Sequence, residues 1–256
     1  MSKIAEAFQG KKAFIAYLMA GDPDLATSAE YILAAQEAGA DLIEIGIPFS
    51  DPIAEGEVIQ QAGIRALKAG ARLDRIFEMV TSLQGKIRAP IVFMTYLNPV
   101  FVYGYDRFFK KCRDIGVCGI IIPDLPFEQQ QEAADPAAEY GIEVIALVAP
   151  TSSERISRIA KDAKGFIYLV SSLGVTGVRN EIKTDIRARV EELRAVTSLP
   201  IAVGFGISTP EQAAEYSQYA DGVIVGSAIV SLIGEYGGKA RGPLKEYIAN
   251  MKAALR

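Results

Sequence analysis

Short runs of β-branched and aromatic residues alternate with alanine-rich, charged, amphipathic stretches along the whole chain. Runs that are short and almost continuously apolar read as strands of a parallel sheet covered on both faces, with the stretches between them as crossover helices. The pattern predicts eight strands: Phe14–Met19, Leu42–Ile45, Ile91–Thr95, Gly119–Ile122, Val144–Val148, Phe166–Val170, Ile201–Gly204 and Gly222–Val225. Helices are predicted over Ser28–Ala38, Val58–Ala69, Leu73–Leu83, Tyr105–Ile115, Glu128–Tyr140, Ser153–Asp162, Asp185–Ala195, Pro210–Tyr219 and Pro243–Leu255. Gly39, Gly116 and Gly141 each follow a helix and precede a strand, the place of a left-handed cap residue. A doubly wound open sheet has the same alternation, but the count of eight favours closure into a (β/α)8 TIM barrel with extra short helices. The length of 256 residues suits that fold, and no linker or composition shift divides the chain, so residues 1–256 are expected to form a single barrel domain.

Function in such a barrel belongs to the segments after the strands. Here those segments are Gly21-Asp22-Pro23, the loop holding Glu55, Asn98-Pro99, Pro123-Asp124, the stretch from Ser172 to Lys183, Gly204-Phe205-Gly206 and Gly226-Ser227. The longest irregular stretch, about residues 172–184, reads as a mobile lid with hinge-like Gly174 and Gly177 and hydrogen-bonding Thr176; a plain surface loop is the alternative.

Composition narrows the chemistry. The chain has no histidine, which removes the usual general base, the usual zinc ligand and the serine-protease triad, and leaves acid–base work to carboxylates, tyrosines or lysines. It also has no HExxH, no Walker loop and no GxGxxG after the first strand, so no metal or organic cofactor is expected in this chain. Net charge is −4 with scattered basic residues, which argues against a nucleic-acid partner. No segment approaches the ~20 apolar residues of a membrane span or has a signal-peptide core, so no membrane association and a cytoplasmic setting are expected. Cys112 and Cys118 form no metal-ligand or redox pattern and read as structural thiols.

One carboxylate stands out. Glu44 interrupts the apolar run Leu42–Ile45, and a charge inside a covered strand must be paired, neutralised or placed at an accessible end. Pro48 and Pro52 prevent regular continuation, so Glu44 lies near the C-terminal end of its strand, followed closely by Glu55 and Glu57. The plain alternative is a structural ion pair with Arg65 or Lys12. At the far side of the barrel, Gly204-Phe205-Gly206 and Gly226-Ser227 are glycine turns after the last two strands. They let backbone N–H groups, a helix N-terminus and the Ser227 hydroxyl approach an anion. A phosphorylated substrate would span the mouth, with Gly177 as a further donor if the lid closes. Tight turns without a ligand are the alternative.

The motifs LIEIGIPFSDPIAEG at Leu42–Gly56, MTYLNP at Met94–Pro99, PDLP at Pro123–Pro126, GVTG at Gly174–Gly177, GFGIS at Gly204–Ser208 and VGSAIV at Val225–Val230 together resemble the tryptophan synthase α-subunit family. The resemblance covers essentially the whole chain. It implies retro-aldol cleavage of indole-3-glycerol phosphate to indole and glyceraldehyde 3-phosphate, without a cofactor in this chain. It also implies an α2β2 assembly with a β subunit that carries pyridoxal phosphate. By the same resemblance Glu44 is the acid–base residue, Glu55 a second catalytic carboxylate and Tyr168 a tyrosine at the substrate. Tyr17, Phe93, Tyr96 and Phe205 are expected to wall the indole, and Asp22, Asp51, Pro52 and Thr176 to couple lid and partner.

Two residues depart from the family pattern: Glu55 stands where an aspartate is usual and Glu57 where a proline is usual. A longer arm moves the carboxylate by roughly 1 Å, a misplacement that can cost on the order of a hundredfold. Glu57 is expected to free the loop and to raise the pKa of Glu55 by adding negative charge. The chain is therefore expected to be slow alone and dependent on its partner. The rival readings are a barrel that has lost chemistry and serves as an allosteric partner, a stand-alone indole producer, and another phosphate-binding barrel enzyme. The last would want a lysine or cysteine at a strand end, and strand-end lysines are absent.

Overall fold

Eight parallel strands hydrogen-bond in sequence order and close, the first pairing with both the second and the last. They are β1 Ala13–Met19, β2 Leu42–Gly46, β3 Ile91–Met94, β4 Val117–Ile121, β5 Glu143–Val148, β6 Lys164–Val170, β7 Ile201–Gly204 and β8 Gly222–Val225 in this computed structural model, which describes residues 2–149, 153–170 and 186–255. The expected (β/α)8 barrel is thus the observed fold. The stretch read as a lid, with Thr176 and Gly177, lies outside the described residues.

The described helices are α1 Lys3–Glu6, α2 Leu25–Glu37, α3 Glu57–Lys68, α4 Leu73–Thr81, α5 Leu97–Tyr103, α6 Tyr105–Ile115, α7 Gln131–Glu139, α8 Ser153–Asp162, α9 Ile186–Arg194, α10 Pro210–Ser217, α11 Ser227–Tyr236 and α12 Arg241–Ala253. Several bounds differ from the sequence pattern for local reasons. Helix α2 starts three residues earlier than Ser28, because the Asp24 carboxylate accepts the Thr27 N–H at 2.9 Å and caps the first turn. The helix expected over Glu128–Tyr140 divides into a 3-10 turn, Phe127–Gln129, and α7. Gly39, Gly116 and Gly141 have φ of 105°, 83° and 70°, as a left-handed cap requires.

Two helices, α1 and α5, were not marked as such by the pattern, and α11 was marked only by its start after Gly226. Helix α11 has too little polar residue content to show a period, since Ile229, Val230 and Ile233 are buried between strand and helix layers. Helix α5, LNPVFVY, is rich in strand-favouring residues. Helix α1 is a single turn, and together with Phe8 it closes the N-terminal end of the barrel.

That closure depends on glycine. A Cβ on Gly119 would come 2.8 Å from the Ile4 side chain, and one on Gly222 would come 3.1 Å from Phe8. Both apolar side chains therefore enter the barrel floor, where Phe8 packs on Phe166 with ring centroids 5.5 Å apart. Each such burial contributes about 1.5–3 kcal/mol. Above them Ile15, Leu42, Val92, Ile121, Ile145 and Ala202 fill the interior. A second, larger cluster joins the outward strand faces to the helices. The interior is thus packed from below and open only at the C-terminal mouth.

Candidate active site

Alternation along β2 sends Leu42, Glu44 and Gly46 inward and Ile43 and Ile45 out to the helices. Glu44 therefore stands on the barrel interior, two residues below the mouth and 1 % exposed. Neither of its carboxylate oxygens has a hydrogen-bond partner among the described residues. The ion-pair alternative is removed, because both cations are engaged elsewhere. Arg65 grips Asp22 with two hydrogen bonds of 2.8 Å, and Lys12 donates to the Ala220 carbonyl at 2.8 Å. Burial alone pushes the Glu44 carboxyl up to about 8, so it holds its proton at neutral pH.

Glu55 lies in the loop between β2 and α3, and its backbone is held on both sides. The Ala54 N–H donates to the Tyr96 hydroxyl at 3.1 Å, and Gln60 Nε2 donates to the Glu55 carbonyl at 2.8 Å. Burial raises the Glu55 carboxyl to about 7, against a smaller lowering from the Tyr96 hydroxyl. The charge of Glu57 is not among the causes. Glu57 is an exposed first residue of α3, where the helix dipole favours an acid, so the expected effect of Glu57 on Glu55 is replaced by burial.

Both carboxylates line one cleft of about 250 Å³ at the mouth, together with Tyr17, Tyr96, Tyr168, Phe205, Gly206, Gly226 and Ser227. The tyrosines fit because the facing strand ends lack side chains. A Cβ on Gly46 would stand 2.1 Å from the Tyr17 hydroxyl oxygen, and one on Gly204 would stand 2.6 Å from that of Tyr168. Ala54, Gly56, Ile59, Met94, Thr95, Pro123, Ile207, Ser208, Ile224 and Ala228 complete the lining, and none of these was assigned a site role from the sequence, although several lie in the motifs named there. Parity along β3 and β8 would have found Met94 and Ile224; the others come from loops and helix starts, where no period applies.

Phe93 requires a correction. It follows Val92, which faces the interior, so it points outward and is fully buried against Phe77, at a ring distance of 6.1 Å. It packs the helix layer and does not wall the cleft. Asp51 and Pro52 share the Glu55 loop but lie outside the cleft lining, Asp51 being exposed with its carboxylate accepting from the Ser50 hydroxyl. Asp22 is buried, and its pairing with Arg65 ties the β1–α2 loop to α3.

At the opposite side of the mouth, α11 begins at Gly226 without a side-chain cap. The first intrahelical bond is that from Val230 N–H to the Gly226 carbonyl, so the N–H groups of the first turn and their positive dipole end are free to meet an anion beside Ser227. Phe205 adopts φ 75°, a left-handed conformation that costs a non-glycine residue roughly 1–2 kcal/mol. Its ring packs edge-on against Tyr168 at 6.1 Å and lines the cleft. The turn continues through Gly206 at φ 77°. Among the described residues, neither lysine nor arginine lines the cleft, so negative charge there meets backbone amides and hydroxyls.

A closed (β/α)8 barrel with two carboxyl groups raised by burial at one side of its C-terminal mouth and a helix N-terminus at the other defines an acid–base barrel enzyme for an anionic substrate. The chain belongs to the tryptophan synthase alpha chain family, whose model matches residues 4–255. It is 47 % identical over 255 residues to the tryptophan synthase alpha chain of Lacticaseibacillus casei, an alignment covering 100 % of this chain and 96 % of that one. Its fold superposes on the crystal structure of tryptophan synthase subunit alpha from Legionella pneumophila str. Paris with a TM-score of 0.89. That match has 34 % identity and covers 100 % of this chain and 98 % of the other. A chain of the tryptophan synthase α2β2 complex from Pyrococcus furiosus matches with a TM-score of 0.87 and 40 % identity, covering 94 % and 98 %.

Proposed function

We propose that Glu44 and Glu55 divide the work of cleaving indole-3-glycerol phosphate, the lyase reaction of this family in tryptophan biosynthesis. The carrying observation is that Glu44 is buried, unpartnered and protonated at neutral pH inside a cleft that ends in an uncapped helix N-terminus. Glu44 delivers its proton to indole C3. The ring becomes a cation centred on the nitrogen, and the Glu55 carboxylate stabilises that charge where it develops. The Glu44 carboxylate then takes the proton of the adjacent side-chain hydroxyl. The bond from C3 to the glycerol carbon breaks, its electron pair returns to the ring, and the alcohol carbon becomes the aldehyde of glyceraldehyde 3-phosphate. Glu44 ends as it began, protonated.

The phosphate is read as sitting at Gly206, Gly226 and Ser227, with Thr176 and Gly177 closing over the substrate, and Tyr168 and Phe205 as contacts to the indole. Only protons move in this scheme, and carboxylates supply them, so no cofactor is assigned to this chain. A cytoplasmic setting goes with this reading; among the described residues no helix is long and apolar enough to cross a membrane.

The partner is proposed to be a tryptophan synthase β subunit carrying pyridoxal phosphate, in an α2β2 assembly. Three large apolar side chains beside the mouth support docking there: Ile53 at 75 %, Phe101 at 62 % and Val102 at 75 % exposure, on the loop of Asp51 and Pro52 and on α5. The test is indole release with and without that subunit. Release is expected to be slow alone and faster in the complex, and Glu44→Gln is expected to lower it by roughly 10²–10⁴-fold in both. A chain that raised its partner's turnover while releasing no indole would instead be an allosteric subunit only.

A further inference from the structure

The anionic side of the cleft is gripped from outside. After β7 the chain turns through Phe205 and Gly206, both at positive φ, and passes Ile207 and Ser208 before α10 begins at Pro210. Gly206, Ile207 and Ser208 all line the cleft. No described atom lies within 4 Å of the place a Cβ on Gly206 would take, so an anion can come close to that backbone. Among the described residues no backbone carbonyl accepts from the N–H of Gly206 or of Ile207.

Ser208 differs, because both of its backbone polar groups are engaged. Its N–H donates to Gln212 Oε1 at 2.8 Å, and its carbonyl accepts from the Tyr247 hydroxyl at 2.8 Å. The first of these bonds is local. Gln212 belongs to the capping box of α10, where Oε1 also accepts from the Thr209 N–H at 3.2 Å and the Gln212 N–H donates to Thr209 Oγ1 at 3.3 Å. The second bond is not local, since Tyr247 comes from the middle of α12 and its ring packs half-buried on the helix layer. Burial pushes the phenol up to about 12, so it is a donor at neutral pH. Ser208 is exposed, and water would satisfy its carbonyl nearly as well. What the phenol adds is position.

We propose that Tyr247 is a positioning residue for the phosphate end of the cleft. By holding the Ser208 carbonyl it fixes the turn that presents the Gly206 and Ile207 N–H groups to the anion. This inference rests on the phosphate site read above at Gly206, Gly226 and Ser227. A left-handed Phe205 is strained, so a turn released at Ser208 relaxes towards other conformations, and the substrate must reorder it on binding.

Tyr247→Phe keeps the ring and removes the bond. A neutral hydrogen bond is worth roughly a threefold to tenfold factor, so KM for indole-3-glycerol phosphate should rise by about that much while kcat stays within about twofold. Inorganic phosphate, used as a competitor of the full-length chain, should weaken by the same factor. Indole, which carries no phosphate, should compete as well as before. Unchanged competition by phosphate would overturn the role of Tyr247, and so would equal weakening of phosphate and indole, which would mean a generally loosened barrel. The wild-type chain separates the two levels. If inorganic phosphate failed to compete there, the phosphate site itself would fall and the role of Tyr247 with it; if it competed equally in both chains, the site would stand and only Tyr247 would lose its role.

Discussion

Glu44→Gln should make the barrel more stable, and increasingly so as pH rises. In the folded chain burial lifts the Glu44 carboxyl to about 8, whereas in the unfolded chain it returns to its ordinary value of 4.5. Between these values the native state holds a proton that the unfolded state has released, so this group's contribution to stability is full below about 4.5 and is lost as pH rises towards 8. Each unit of difference is worth about 1.36 kcal/mol. From pH 5 to pH 8 the wild-type chain therefore loses on the order of 3 to 4 kcal/mol that a glutamine chain does not lose. All other groups titrate in both chains and cancel in the difference. At about 3 °C per kcal/mol for a chain of this size, the Tm difference between variant and wild type should grow by roughly 10 °C over that range. Urea midpoints at pH 5, 6.5 and 8 measure the same quantity isothermally. Parallel stability curves would refute the reasoning, because they would mean that Glu44 is solvated or paired in solution and is no buried acid.

Other outcomes follow from the same coordinates. Glu55→Gln should remove the stabilising charge at the ring nitrogen and lower kcat by roughly a hundredfold, read by indole release. Phe93→Ala should cost about 3–5 kcal/mol in urea unfolding and leave KM unchanged, since the ring fills the helix layer. Arg65→Ala leaves Asp22 buried without its partner. With the arginine partly exposed, a loss of about 2–3 kcal/mol is expected, measurable as a lower urea midpoint.

Much of the fold was legible because it rests on local rules. The apolar runs lie within the observed strands or overrun their ends by one residue, and the glycines that end helices are at positive φ where a left-handed residue was required. The carboxylate at Glu44 was visible as an exception to an apolar run, and the helix N-terminus at Gly226 as a glycine turn. Phe93 shows the limit. Inside a strand buried on both faces an aromatic residue looks the same whether it points in or out, and only its pairing with neighbours that face the interior fixes its side. Helix α11 was legible only at its start after Gly226, because its mostly apolar sequence shows no regular polar stripe from which to read its extent.

The sequence by itself determined the alternation of strands and helices, the restriction of proton chemistry to carboxylates, phenols and lysines, and the family. Those are properties of residue type and spacing along the chain. Tertiary structure decided which acid is free. Arg65 and Lys12 were both available to neutralise Glu44, and only the closed barrel commits them to Asp22 and the Ala220 carbonyl. It likewise decided that Glu55 is raised by burial and not by Glu57, and that the Tyr17 hydroxyl stands over Gly46 beside Glu44. Desolvation and through-space charge depend on what surrounds a group in three dimensions, and residues that surround one another at a barrel mouth come from strands far apart in the chain.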